Sequence, residues 1–134
     1  MDEKKSAPAI LVVDDEDEIR SLMERYVEGF FAGKGKFLCR TAKDGSTTLE
    51  CIEERNFELI FMDVHFPGGN GIEFIKLIRK KEEANGFKPA RIICITGLVT
   101  QEEGIRAIAA GADKCLFKPF DWKEIPKELE ELFS

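Results

Sequence analysis

The stretch Ala9-Ile10-Leu11-Val12-Val13-Asp14-Asp15 decides the fold. Five consecutive apolar residues suit a strand buried on both faces, and the abrupt change to two aspartates places polar chemistry at its C-terminal end. A strand of this kind belongs to a parallel sheet covered by helices on each side.

Working outward, the same pattern returns. Residues 16–31 carry Ile19, Leu22, Met23, Tyr26, Val27 and Phe30 at helical spacing, which predicts an amphipathic helix. Gly29, Gly33 and Gly35 interrupt it before Phe37-Leu38-Cys39-Arg40-Thr41, read as a second strand. A helix over 46–54 with Leu49 and Ile52 on its inner face follows, then the apolar strand Leu59-Ile60-Phe61-Met62, which stops at Asp63. Pro67, Gly68, Gly69, Asn70 and Gly71 form a loop, after which Ile72, Phe74, Ile75, Leu77 and Ile78 resume helical periodicity.

The polar segment from Lys80 to Pro89 reads as the frayed end of that helix and a connector. Ile92-Ile93-Cys94-Ile95 is a fourth strand ending at Thr96-Gly97, and a helix from about Thr100 to Ala110 leads to the strand Cys115-Leu116-Phe117. The last helix starts near Asp121 and carries Trp122, Ile125, Leu129 and Leu132 inward. Five strands alternating with five helices predict an α/β three-layer sandwich around a five-stranded parallel sheet, since each parallel connection needs a right-handed crossover. One domain over residues 9–132, behind a tail of residues 1–8, accounts for the 134 residues.

Composition limits the function. A net charge of -6 argues against general affinity for nucleic acid or anionic lipid. The polar start shows no signal peptide and no run approaches a membrane span, so the expectation is a cytoplasmic protein. Cys39, Cys51, Cys94 and Cys115 have no metal-ligand spacing and read as packing residues.

Asp14, Asp15, Asp63, Thr96 and Lys118 each follow the end of an apolar strand. In open α/β sheets the ligand crevice lies outside those ends, so four segments aim at one place. Alone, Asp14 to Glu18 would suit an acidic helix start, Thr96 a local turn and Lys118 a surface lysine. Asp63 is harder to dismiss, because it leaves a buried strand and needs a partner. Three carboxylates at about 4 Å repel by about 4 kcal/mol per pair at an effective dielectric near 20. Lys118 and one hard dication would neutralise them, and an all-oxygen site selects Mg²⁺, with Mn²⁺ as the alternative, over Zn²⁺.

With Ile10-Leu11-Val12-Val13-Asp14-Asp15-Glu16, Met62-Asp63-Val64-His65-Phe66-Pro67-Gly68-Gly69-Asn70-Gly71, Ile95-Thr96-Gly97, Ala110-Gly111-Ala112-Asp113 and Phe117-Lys118-Pro119-Phe120, the chain resembles the CheY-like response regulator receiver family over nearly its whole length. The resemblance implies a flavodoxin-like fold of strand order 2-1-3-4-5 with a cis Lys118-Pro119 bond. It implies that Asp63 accepts a phosphoryl group, forming 4-aspartylphosphate, from a sensor histidine kinase or a histidine phosphotransfer protein. It implies Mg²⁺ held by Asp14, Asp15, Asp63 and the backbone carbonyl of His65. Lys118 would pair with Asp63, and Thr96 would give its hydroxyl to the phosphoryl group. Such a domain catalyses its own phosphorylation and dephosphorylation.

The same resemblance points to a downstream protein effector docked near the fourth and fifth helices, and to phosphorylation-dependent homodimers. Phe117 takes the place of the family's aromatic switch residue and is equally compatible with a core position. His65 and Leu98 stand where the lifetime of the phosphoryl group and the switch loop are tuned. Phe66, Gly69 and Asn70 depart from the family's common residues in their loop. The alternative flow is a phosphorelay intermediate passing the group from Asp63 to another histidine. Two other classes fit less well: a haloacid-dehalogenase-like phosphatase would want an acid where His65 stands, and a flavodoxin-like FMN protein would want a phosphate cradle in place of Asp14-Asp15-Glu16.

Overall fold

Each apolar run becomes a strand of one parallel sheet. The computed structural model describes residues 7–97 and 101–134, in the order β1 (Ala9–Val13), α1 (Asp17–Phe31), β2 (Leu38–Ala42), α2 (Gly45–Glu54), β3 (Leu59–Asp63), β4 (His65–Phe66), β5 (Gly69–Asn70), α3 (Gly71–Asn85), β6 (Arg91–Thr96), α4 (Gln101–Ala110), β7 (Lys114–Phe117) and α5 (Glu124–Phe133). The main sheet runs β2-β1-β3-β6-β7, which is the expected 2-1-3-4-5 once the small antiparallel pair β4-β5 is set aside.

Side chains alternate along the strands into two cores. Ala9, Leu11, Val13, Ile60, Met62, Ile92 and Cys94 meet Ile52, Ile75, Ile78 and Ala107 of α2, α3 and α4. Ile10, Val12, Leu59, Phe61, Ile93 and Ile95 meet Met23, Val27, Phe31, Ile125 and Leu129 of α1 and α5. All five residues of β1 are buried, which is why its sequence is apolar without alternation. Strand order reverses at β1 and β3, so Asp14 and Asp63 leave neighbouring strands at the same edge.

The structure corrects several expectations. The polar stretch after Arg79 is helical to Asn85, closed by Gly86 in the left-handed region at φ 66°. The cause is Glu82, which is buried, accepts from Arg79 Nη1 at 2.7 Å and takes the Ala90 backbone N–H at 2.7 Å. Its polar character belongs to the interior, so composition misplaced the helix end. α5 begins at Glu124, three residues later than expected, because Asp121 first closes a turn through the backbone N–H groups of Lys123 and Glu124. Gly71 belongs to α3, whose first turn is capped by Asn70 Oδ1 accepting from Ile72 N at 2.8 Å.

Leu49, Leu77 and Leu132 sit at the solvent edge of their helices. Thr48 and Cys51 fill the inner face of α2, and Phe133 packs against Phe31 at the end of α5. All four cysteines are free, with Cys51 and Cys94 buried. The described residues contain no helix long and apolar enough to cross a membrane.

Candidate functional site

Asp14 is fully buried directly after β1. Its N–H donates to Ala42 O at 3.1 Å, its carbonyl accepts from Arg20 Nη1 at 2.8 Å, and Oδ1 accepts from Glu16 N at 2.9 Å. Oδ2 faces Lys118 Nζ at 2.9 Å. Asp15 points outward, and one carboxylate oxygen from each of Asp14, Asp15 and Glu16 lies within 4.8 Å of the others.

Asp63 ends β3, 4% exposed. The chain turns sharply beyond it: Val64 N donates to Ile95 O at 2.9 Å and Gly71 N donates to Val64 O at 2.8 Å. A Cβ on Gly71 would come within 2.1 Å of the Asp63 carbonyl oxygen, so only glycine lets α3 start this close to the aspartate. Lys118, after β7, reaches across the edge to Asp14, to Glu16 Oε2 at 3.2 Å and to Asp63 Oδ2 at 3.7 Å. Its N–H donates to Thr96 O at 2.8 Å, and the Lys118-Pro119 bond is cis as expected.

These contacts order the charges. Burial and the neighbouring Asp14 push the Asp63 carboxyl up to about 7, against the opposing pull of Lys118 and the His65 N–H. Burial works against the Lys118 ammonium, yet its hydrogen bond with Asp14 and the charges of Asp63 and Asp14 carry it up to about 12. The lysine is thus a fixed cation among acids, and Asp63 is the acid it neutralises least.

Thr96, fully buried at the end of β6, donates its hydroxyl to Glu103 Oε1 at 3.3 Å. His65 is half exposed beyond β3, with Nε2 2.7 Å from Glu103 Oε2. Phe117 is the register partner of Thr96 on β7, but it is 45% exposed and therefore not a core residue. Its ring lies over Gly104, where a Cβ would meet it at 3.1 Å. With Ile105 and Ile108 it lines an open apolar groove on α4 and β7. Leu98 lies outside the described residues.

The fold therefore brings Asp14, Asp63 and Lys118 into contact, sets Asp15 beside them, and gathers Thr96 and His65 at Glu103. Two members escaped the sequence reading. Glu16 follows the aspartate pair directly and could have been weighed as a third acid. Glu103 had no such signal, since only the β6–α4 crossover carries it back to Thr96.

Hard oxygen donors fit a divalent ion here. Asp14 Oδ2 is buried with an ammonium as its contact, and the adjoining carboxylates of Asp15 and Glu16 converge on the same edge.

Known proteins resemble this chain in sequence and in fold. The response regulator receiver domain family matches residues 10–130. Chemotaxis protein CheY-3 of Vibrio cholerae is 32% identical over 125 residues, 93% of this chain and 91% of that protein. Transcriptional regulatory protein ResD of Bacillus subtilis is 32% identical over 123 residues, and the chain spans about half of its length, 47%. A chain of the co-crystal structure of the Saccharomyces cerevisiae histidine phosphotransfer signalling protein Ypd1 and the receiver domain of its downstream response regulator Ssk1 superposes with a TM-score of 0.74. It is 27% identical, over 94% of this chain and 88% of that one.

Proposed function

This chain belongs to the response regulator receiver family, and we propose that it works as a phosphoacceptor whose Asp63 takes a phosphoryl group in a Mg²⁺-dependent reaction. The observation that carries the reading is Lys118 Nζ, held between Asp14 Oδ2 at 2.9 Å and Asp63 Oδ2 at 3.7 Å at the C-terminal edge of the sheet. A carboxylate at the end of a buried strand can attack phosphorus in line, while a nearby cation offsets charge on the phosphoryl oxygens. The donor is a phosphohistidine of a kinase or phosphotransfer protein. Its P–N bond breaks as the Asp63 O–P bond forms, and the imidazole leaves with a proton.

Each residue then has a role. Asp63 is the nucleophile, Lys118 meets phosphoryl charge, and Thr96 supplies a hydroxyl proton to a phosphoryl oxygen. Asp14, Asp15, Asp63 and the His65 carbonyl would hold Mg²⁺. When bound, the ion supplies further neutralisation of the oxygens around phosphorus. Domain limits of 9–132 contain all of these groups. The structure of Ssk1 with Ypd1 supports a histidine phosphotransfer protein as one partner class. Exposed Ile105, Ile108 and Phe117 support a protein effector on the face of α4 and β7. A second copy of the chain is the rival occupant there, and solution mass with beryllofluoride and Mg²⁺ decides between them.

The test is incubation with phosphoramidate and Mg²⁺ followed by intact mass. One phosphoryl adduct on the wild type, absent from Asp63→Asn, is the expected result. No adduct, or an equal adduct on the variant, would overturn the assignment.

A further inference from the structure

We infer that Glu103 is a positioning residue that latches Thr96 and α4 in the unphosphorylated arrangement, a reading that rests on Asp63 being the acceptor. The carboxylate is only 14% exposed, and its two oxygens are used by two different segments. Oε1 accepts the Thr96 hydroxyl from the end of β6 at 3.3 Å, and Oε2 meets His65 Nε2 beyond β3 at 2.7 Å. One side chain in the first turn of α4 thereby joins the segment after the acceptor strand to the residue that must report on it.

The latch follows from counting protons. A hydroxyl has one proton to donate, and an ionised glutamate can only accept. Thr96 cannot donate that proton to Glu103 and to a phosphoryl oxygen on Asp63 at once. Phosphorylation must therefore break the contact between Thr96 and Glu103, and the incoming negative charge also repels the glutamate. Releasing Glu103 frees the start of α4, the helix whose Gly104, Ile105 and Ile108 line the apolar groove beside Phe117. His65 holds the other oxygen and so keeps the latch closed.

Removing the latch should make phosphorylation easier. Glu103→Ala is expected to take phosphate from phosphoramidate about three- to tenfold faster than the wild type, the scale of the net worth of one long hydrogen bond. Before any phosphorylation, its α4 amides should exchange hydrogen faster by a similar factor. Glu103→Gln keeps an oxygen for Thr96 and should stay within about twofold of the wild type on both measures. His65→Ala should raise the labelling rate in part, and the double variant Glu103→Ala/His65→Ala should go no further than Glu103→Ala, since coupled groups are not additive.

Wild-type rates and exchange in Glu103→Ala would overturn the latch, as would gains that multiply in the double variant. If the wild type takes no phosphate, the acceptor reading fails separately. Exchange at α4 then decides the latch alone, and unchanged protection in Glu103→Ala rejects it.

Discussion

Lys118 Nζ lies 2.9 Å from Oδ2 of Asp14, an aspartate with no solvent exposure. The ammonium is 3.7 Å from Asp63, so the acid that never reaches solvent takes most of its charge. Asp63 is left under-neutralised, which suits the role of acceptor proposed for it.

Replacing Lys118 by Met removes the cation while keeping much of the stem. Asp14, Asp63 and Glu16 then face one another without it, so the variant should melt lower than the wild type without divalent ions. Mg²⁺ should bind it several-fold more tightly, since repulsion between ammonium and dication is gone, and should raise its melting temperature by more. Phosphorylation by phosphoramidate should nevertheless fall. Calorimetry with and without Mg²⁺ checks this, and a variant bound no more tightly than the wild type would count against a shared site.

The raised carboxyl of Asp63 makes stability depend on pH. Its folded value, about 7, exceeds the ordinary 3.8, so between those values the folded state holds the extra proton. Stability without metal should then fall as pH rises from about 4 to about 7 and level off above. The loss is on the order of 4 kcal/mol and belongs to one group. Asp63→Asn cannot ionise and should escape it, becoming more stable than the wild type at neutral pH. Denaturant midpoints across that range test the sign, and a gap that does not grow with pH would refute it.

The strands and the groups at their ends were legible because burial on two faces demands uninterrupted apolar runs. Asp14, Asp63, Thr96 and Lys118 stood out by ending them. The end of α3 was hidden, because buried Glu82 with its partner Arg79 has the composition of a surface segment. Leu49, Leu77 and Leu132 fit a helical stripe but lie at its margin, where spacing alone does not say which residue the sheet covers. Glu103 illustrates a deeper limit. Its partners stand 7 and 38 residues away, and only tertiary structure brings a helix, a strand end and a loop to one carboxylate.

Gly71→Ala should harm the site without touching any charge. The added methyl would stand 2.1 Å from the Asp63 carbonyl oxygen and 3.0 Å from Met62 Cγ. Backbone cannot swing aside as a side-chain tip can, so the start of α3 or the end of β3 must move. A cost near 3 kcal/mol is expected, the upper end for overpacking, together with slower phosphorylation. Gly29→Ala is the control. Nothing lies within 4 Å of its new methyl, and a helix-interior alanine should stabilise by about 0.5–1 kcal/mol. Equal effects of the two substitutions would show that the close approach at Gly71 is not what matters.

Glu128 anchors α5 to the sheet from a fully buried position, accepting from Arg91 Nε at 2.8 Å and Lys114 Nζ at 2.7 Å. Burial raises its carboxyl, but hydrogen bonds from Lys114 and Arg91 more than offset this and hold it below the usual glutamate range. Glu128→Gln keeps the shape and loses the charge. Both cations are about one-third exposed and can return to water, so the expected cost is about 1–3 kcal/mol, less than for a fully buried pair. A depressed folded value means the contribution is complete above the unfolded 4.5 and is lost as pH falls through the folded value. The stability gap between wild type and Glu128→Gln should therefore be constant near neutrality and close in acid. Denaturant midpoints from about pH 7 down to about pH 3 measure it. A gap that stays open in acid would mean that Glu128 acts through packing and not through its charge.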